Sequence, residues 1–137
     1  MSSDERKEVD FILVRTMTPR EAVSLLLDRF PTVRDVVCPD EDYFEWPSIV
    51  YDSFGSIVVA RSDDPAFVES VALFIDELAE IKGPLVGNLL SSTLLEVIAG
   101  DAQLARVFSR RISPRARSLL HEVERSFYHR DVPAEET

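Results

Sequence analysis

The sequence predicts an all-α protein, folded as a single compact multi-helix domain of about five to six helices. Three observations lead to this prediction. Prolines follow capping residues at several predicted helix starts, apolar residues recur at spacings of three and four, and 45% of the 137 residues are apolar, enough for one core. We expect the domain to span residues 1–137, with a less defined N-terminal segment at 1–17 and a flexible acidic tail at 131–137.

The first helix start is marked by Thr18, Pro19 and Glu21. A hydroxyl N-cap, a proline at the first helical position and a glutamate at the third form the two halves of a capping box. A helix is therefore predicted from Pro19 to about Phe30, where Pro31 ends it. Its apolar positions form one stripe: Ala22, Val23, Leu26, Leu27 and Phe30.

A second capped helix begins at Asp64 and Pro65. Its buried stripe is predicted to contain Phe67, Val68, Val71, Phe74, Ile75, Leu78 and Ile81. Gly83 is the predicted stop. Four carboxylates lie largely off the stripe and give this helix an anionic outer face: Glu69, Asp76, Glu77 and Glu80.

The C-terminal half predicts three further helices. One opens at Pro84 and continues through Ile98 with no charged residue between Lys82 and Glu96, so we expect it to be central. A short helix follows from Ala102 to about Arg110, and a last one is capped by Ser113 before Pro114. The stripe of that last helix is Ala116, Leu119, Leu120, Val123 and Phe127.

Two apolar segments are ambiguous between helix and strand. Val9 to Val14 is too short for periodicity to decide, and a helix is favoured there. Ser48 to Ala60 is rich in Val and Ile, which favours a strand. Its helical spacing and the preceding Pro47 favour a helix instead, and we predict a helix.

The segment from Cys38 to Pro47 concentrates four carboxylates and three aromatic rings between two prolines. Prolines at both ends of this segment, which we call the acidic aromatic loop, disfavour helix, and rings in a loop are hard to bury completely. Exposed rings with fixed negative charge suit the binding of a basic protein. The predicted contact residues are Asp40, Glu41, Asp42, Tyr43, Glu45 and Trp46, with Glu69, Glu77 and Glu80 as second candidates. Of the rings Tyr43, Phe44 and Trp46, we expect one or two to be buried and at least one to be exposed.

The net charge of −10 is unevenly distributed along the chain. Residues 1–105 carry 20 acidic against 8 basic residues, and residues 106–130 carry 2 against 7. The basic segment contains Arg106, Arg110, Arg111, Arg115 and Arg117, without the interleaved aromatics of single-strand binders. Pairing with the acidic helices or solvation is the favoured role of these arginines, so a nucleic-acid partner is not expected.

Catalytic and metal-binding motifs are absent from the sequence. His121 and His129 lack the spacing of a zinc-binding helix, and Asp40-Glu41-Asp42 lacks the glycine turn of a calcium loop. Cys38 is expected to be a buried, inert thiol. We therefore expect no catalytic residues, no metal, no cofactor and no enzyme activity. A charged N-terminus and the lack of an apolar run of about 18 residues predict a cytoplasmic protein with no membrane partner.

Several short patterns together resemble a known family. They are Phe74 to Ala79, Asn88 to Leu90 and Leu94 to Glu96, preceded by Pro47 and Tyr51 to Phe54. The chain, loosely from Thr18 to Phe127, is similar to a family of small acidic helical bacterial proteins of unassigned activity, whose members are suspected immunity proteins beside polymorphic toxins. The resemblance implies a helical fold and a neutralising role by binding, and it supplies no catalytic residues.

Three functions are consistent with the sequence. The first is a non-enzymatic inhibitor, most concretely an immunity protein that covers the active site or groove of a cationic toxin such as a nuclease. The second is a homo-oligomeric scaffold or regulator, with a homodimer possible. The third is a nucleic-acid-binding regulator that uses residues 106–117.

Overall fold

The computed structural model describes residues 16–130, and every regular element in that range is helical. Seven helices of six or more residues are α1 (Pro19–Arg29), α2 (Pro47–Ala60), α3 (Pro65–Ala79), α4 (Pro84–Ser92), α5 (Leu94–Ala99), α6 (Ala102–Ser109) and α7 (Pro114–Tyr128). A one-turn helix, Arg34–Val37, and two 3-10 helices, Pro31–Val33 and Glu41–Glu45, connect α1 to α2. The all-α prediction is confirmed, and the count of five to six helices is slightly too low. The predictions for Val9 to Val14 and for the acidic tail lie outside the described residues.

The predicted helix starts are confirmed by their hydrogen bonds. In the capping box of α1, the Glu21 amide donates to Thr18 Oγ1 at 3.1 Å, and the Thr18 amide donates to Glu21 Oε1 at 2.9 Å. Asp64 accepts from the Phe67 amide at 3.2 Å and so caps α3. Ser113 accepts from the Ala116 amide at 3.3 Å and caps α7. These caps satisfy amides that have no partner within the helix.

Aromatic rings from helices α2 and α3 and from the end of α1 pack together in the core. The Phe30 ring lies 4.9 Å from the Phe54 ring, 5.9 Å from Phe67 and 5.4 Å from Phe74, measured between centroids. Tilted and edge-to-face pairs of this kind add to the area that the rings bury. The cluster ties α2 and α3 to the C-terminus of α1. Segment 48–60 is therefore a helix, as predicted, with Phe54 on its buried face.

The central element is the short helix α5 and not the whole run from Pro84. The predicted single helix is interrupted at Thr93, whose φ of −124° and ψ of −84° are non-helical and whose hydroxyl donates to the Leu89 carbonyl at 2.5 Å. Helix α5 contacts α2, α4, α6 and α7. Four of its six side chains are inaccessible to solvent: Leu94, Leu95, Ile98 and Ala99. The break adds one helix to the predicted count.

Two predicted details near the ends of helices are wrong. Helix α3 ends at Ala79, four residues before Gly83. Gly83, with a φ of 90°, is instead the N-cap of α4. Phe127 is not in the core, because 60% of its surface is exposed. The C-terminus of α7 is held by hydrogen bonds to backbone carbonyls of α5 instead. The Tyr128 hydroxyl donates to the Glu96 carbonyl at 3.1 Å, and Arg130 donates to the Ala99 carbonyl at 2.9 Å.

Candidate functional site: the acidic aromatic loop

The acidic aromatic loop is more ordered than a simple loop. Residues Glu41–Glu45 form a 3-10 helix, and the Asp40 carboxylate accepts from the Asp42 amide at 2.9 Å at its start. The flanking prolines exclude an α-helix, but they leave room for this short tighter turn. Cys38, the first residue of the loop, is buried, as expected. Burial raises the pKa of its thiol. The loop therefore has regular secondary structure over Glu41–Glu45.

The three rings of the loop divide between core and surface. Tyr43 and Phe44 are partly buried and pack against the core, whereas Trp46 keeps 50% of its surface exposed. The Tyr43 and Trp46 rings meet edge to face at 5.6 Å between centroids. A half-exposed tryptophan supported by a second ring offers rigid apolar area to a partner at little entropic cost.

The four predicted carboxylates are all exposed, but they differ in their partners. Glu45 forms an ion pair with Arg20 of α1, whose guanidinium also lies 5.5 Å from the centre of the Phe44 ring. The carboxylates of Asp40, Glu41 and Asp42 form no ion pair with any described residue. Glu45 therefore helps to hold the loop, while the other three remain able to accept cations from outside.

The exposed surface continues from the loop onto helix α2. Ile49 lies one turn beyond Trp46, is 50% exposed and has Asp52 a further three residues along. Residues three apart on a helix are surface neighbours, so Ile49 and Asp52 share one exposed face of α2, and Trp46, the N-cap residue, directly precedes that face. Partial desolvation raises the pKa of the Asp52 carboxyl. We call Tyr43, Trp46 and Ile49, with the rim of Asp40, Glu41, Asp42 and Asp52, the Trp46 patch.

Sequence reasoning missed Ile49 and Asp52. The sequence signal for an exposed apolar face is that apolar residues occur all round α2. That pattern is more often typical of a helix that is buried on every side, so it did not point to a binding surface. The sequence predicted a helix here from the spacing of Val50, Phe54, Ile57, Val58 and Arg61. Of these, Val50, Phe54 and Val58 are buried, Ile57 is partly buried and Arg61 is exposed. A second, exposed face of the same helix could not be separated from the core by periodicity alone.

The second candidate carboxylates are less free than those of the loop. Glu77 accepts two hydrogen bonds from Arg29, at 3.0 Å and 2.6 Å, and this pair joins α3 to α1. Glu69 lies 3.9 Å from Arg111, while Glu80 is exposed at the end of α3. Because Glu77 and Glu69 already lie beside arginines of the same chain, α3 offers a weaker site for a basic partner than the loop does.

The arginines of residues 106–117 do not form one uniform basic face. The Arg117 guanidinium donates to the backbone carbonyls of Ser109 and Ile112, at 2.7 Å and 3.0 Å, and so holds the turn between α6 and α7. Arg111 donates to the Val107 carbonyl at 3.1 Å and lies close to Glu69. Arg106, Arg110 and Arg115 are exposed. Two of the five side chains therefore serve the fold of this region.

Among residues 16–130, the remaining titratable groups form no recognisable reaction centre. His121 is fully buried, and its Nε2 lies 2.9 Å from the Ser109 hydroxyl, with no exposed surface through which a substrate could reach the pair. His129 is exposed at the C-cap of α7. Within residues 16–130, no group of three His, Cys, Asp or Glu side chains is placed to hold a metal ion.

No protein-family model, no curated protein and no solved structure matches the chain. Among the described helices, none is by itself long and apolar enough to cross a membrane; only a pair bent by 119°, Pro84–Ala99 with Ala102–Ser109, reaches those limits when its halves are combined. The candidate site therefore has to be interpreted from its own geometry.

Proposed function

We propose that the protein is a non-enzymatic inhibitor that binds a cationic protein through the Trp46 patch. Its most concrete form is an immunity protein that covers the active site or substrate groove of a toxin such as a nuclease. The single observation that carries this proposal is the half-exposed Trp46 ring, which meets the Tyr43 ring and follows three carboxylates in the same loop that form no ion pair within residues 16–130. The resemblance to suspected immunity proteins favours the same function.

The arrangement of the patch fits the way in which protein interfaces gain affinity. A tryptophan at the centre of an interface loses its water on binding and contributes much of the affinity, while the surrounding contacts exclude solvent. Carboxylates at the rim act earlier, because they attract a basic surface before contact and so raise the association rate. Trp46 with Ile49 would supply the centre, and Asp40, Glu41, Asp42 and Asp52 would supply the rim.

The proposal expects a toxin gene beside this gene, and the first test is to look for one there. The product of that gene then serves as the partner, with association and dissociation rates measured by surface plasmon resonance. We expect Trp46→Ala to weaken affinity by at least about 2 kcal/mol, mainly through faster dissociation. Asp40→Asn with Asp42→Asn should mainly slow association and flatten its dependence on salt. The amide oxygen introduced by Asp40→Asn can still accept from the Asp42 amide, so the loop should keep its shape.

Matched controls separate the patch from general surface effects. Leu73→Ala truncates an apolar side chain that is 62% exposed on α3, away from the patch. Asp35→Asn with Asp63→Asn removes two exposed carboxylates that form no ion pair with another described residue. Neither control should change the kinetics as strongly. If Trp46→Ala and the Asp40→Asn, Asp42→Asn variant both fold and bind the toxin with wild-type affinity, the Trp46 patch is not the binding site. The anionic face of α3 is then the next candidate.

A further inference from the structure

A groove between α4 and α7 shares no residue with the Trp46 patch. It encloses about 370 Å³. Its α4 side is lined by Gly83, the N-cap of α4, and by Pro84, Gly87, Asn88 and Ser91, of which Gly83, Gly87 and Ser91 are small residues at four-residue spacing. Its α7 wall carries Arg115, Leu119, Glu122 and Ser126, and the exposed Phe127 ring stands at the end of that wall.

Gly87 has no packing reason to be a glycine. A Cβ atom built on it would meet no atom within 4 Å, apart from its own helix backbone and chain neighbours. Glycine inside a helix costs about 1 kcal/mol relative to alanine, so this position weakens α4 without an internal benefit. The space beside Gly87 is open from the solvent side, and a side chain of another molecule can enter it.

The charges on the α7 wall are self-complementary. Arg115 and Glu122 are seven residues apart on the same face of the helix, with Leu119 between them. Both are exposed, and neither forms an ion pair with another described residue. If a second α7 packs antiparallel across a two-fold axis near Leu119, each Arg115 faces the Glu122 of the other copy. The same surface then serves both molecules, which is the defining property of an isologous dimer contact.

We propose that the α4–α7 groove binds a second copy of this chain, forming a two-fold dimer in which Arg115 of each copy pairs with Glu122 of the other. Leu119 lies near the axis, and the exposed Phe127 adds apolar area on each side of it. This inference does not depend on the proposed inhibitor function. Because the groove and the Trp46 patch share no residue, the dimer keeps two patches available for partners.

A charge swap tests the pairing directly. Association of the full chain is measured by sedimentation equilibrium over a range of protein concentrations, with circular dichroism as the check on folding. We expect Arg115→Glu alone and Glu122→Arg alone each to weaken dimerisation about tenfold or more, because each places like charges opposite one another. The double variant, Arg115→Glu with Glu122→Arg, should return the dimer constant to within about threefold of wild type.

Two matched variants separate the groove from general effects of charge and area. Arg125→Glu makes the same charge change on α7 at an exposed residue that does not line the groove, and it should leave association unchanged. Phe127→Ala should weaken the dimer, whereas Leu73→Ala, which removes a similarly exposed apolar side chain on α3, should not. A wild-type protein that stays monomeric at about millimolar concentration overturns the proposal, since specific dimers exceed that affinity. It is equally overturned if the double swap fails to restore association, or if Trp46→Ala abolishes association that the groove variants leave intact.

Discussion

Tyr51 is a polar group within an otherwise apolar part of the core. Its ring is fully buried beside Phe74, and its hydroxyl donates to the Ala22 carbonyl at 2.7 Å, which links α2 to α1. Burial, assisted by the negative charge of Glu77, strongly raises the pKa of the Tyr51 hydroxyl. The neutral form is thus required by the fold, and this single residue connects helix packing to alkaline stability.

Tyr51→Phe should change the pH dependence of stability in a definite direction. The pKa of tyrosine in the unfolded chain is about 10, and in the fold it is raised, so the stabilising contribution is complete below pH 10 and is lost as pH rises further. Above pH 10, one such group lowers the free energy of unfolding by about 1.4 kcal/mol for each further pH unit. Tyr51→Phe should remove this slope between pH 10 and 12, while costing about 1 kcal/mol at neutral pH through the lost hydrogen bond.

Urea denaturation at a series of pH values measures both effects. Tyr43→Phe is the matched control, because it removes the same hydroxyl group from a ring that is only partly buried. Equal slopes for wild type and Tyr51→Phe above pH 10 would show that Tyr51 does not control alkaline unfolding.

At the level of single elements, local signals were predicted well and tertiary ones were not. The caps at Thr18, Asp64 and Ser113 depend on hydrogen bonds within one turn, so the sequence contains all that is needed to find them. The break at Thr93 is different, because the residues on both sides of it are good apolar helix positions. Only the packing of α5 among four neighbouring helices separates it from α4.

The same distinction explains what was found of the candidate site. The composition between Cys38 and Pro47 pointed to the loop, since rings and carboxylates between prolines are a local feature. Which ring is exposed depends on what packs against it, and Ile49 and Phe127 are exposed at positions whose spacing equally suits a core. Helical periodicity identifies an apolar face, but it does not reveal whether another helix covers that face.

Helices α2 and α5 lie close together at Gly55. A Cβ atom on Gly55 would lie 3.1 Å from the Cβ and Cγ2 atoms of Val97. Gly55→Ala gains about 1 kcal/mol of helix propensity, but crowding in a packed core costs about 1–3 kcal/mol. We expect a net loss of about 1 kcal/mol of unfolding free energy, which Val97→Ala should partly relieve, with a coupling of at least about 0.5 kcal/mol.

Gly87→Ala provides the control for this experiment. It makes the same substitution inside a helix, but no atom lies near the new methyl group, so it should stabilise the protein by about 0.5–1 kcal/mol. Urea denaturation of the Gly55, Val97 and Gly87 variants and of the Gly55→Ala, Val97→Ala pair gives all the required free energies. Purely additive effects at Gly55 and Val97 would show that the two helices can separate without cost.

At the scale of the molecule, the basic segment of residues 106–117 contacts acidic side chains of helix α3. Arg111 lies beside Glu69 of α3, and the amide of Ser113, at the start of α7, donates to the Asp76 carboxylate at 2.6 Å. In the acidic aromatic loop, Glu45 pairs with Arg20, whereas Asp40, Glu41 and Asp42 form no ion pair within residues 16–130. The Trp46 patch therefore carries three carboxylates whose negative charge no described cation pairs with.

This distribution predicts that the protein does not bind nucleic acid at physiological salt. Residues 1–105 carry a net charge of −12 and residues 106–130 a net charge of +5. Charges interact over a Debye length of about 8–10 Å at that ionic strength, so a phosphate backbone near Arg106 and Arg110 also encounters repulsion from acidic neighbours. We expect no binding of labelled duplex or single-stranded probes in fluorescence anisotropy at about 0.15 M salt. Micromolar binding that weakens steeply as salt rises, and that disappears in Arg110→Glu with Arg111→Glu, would contradict this expectation, because such a salt dependence is produced by counterions released from phosphates.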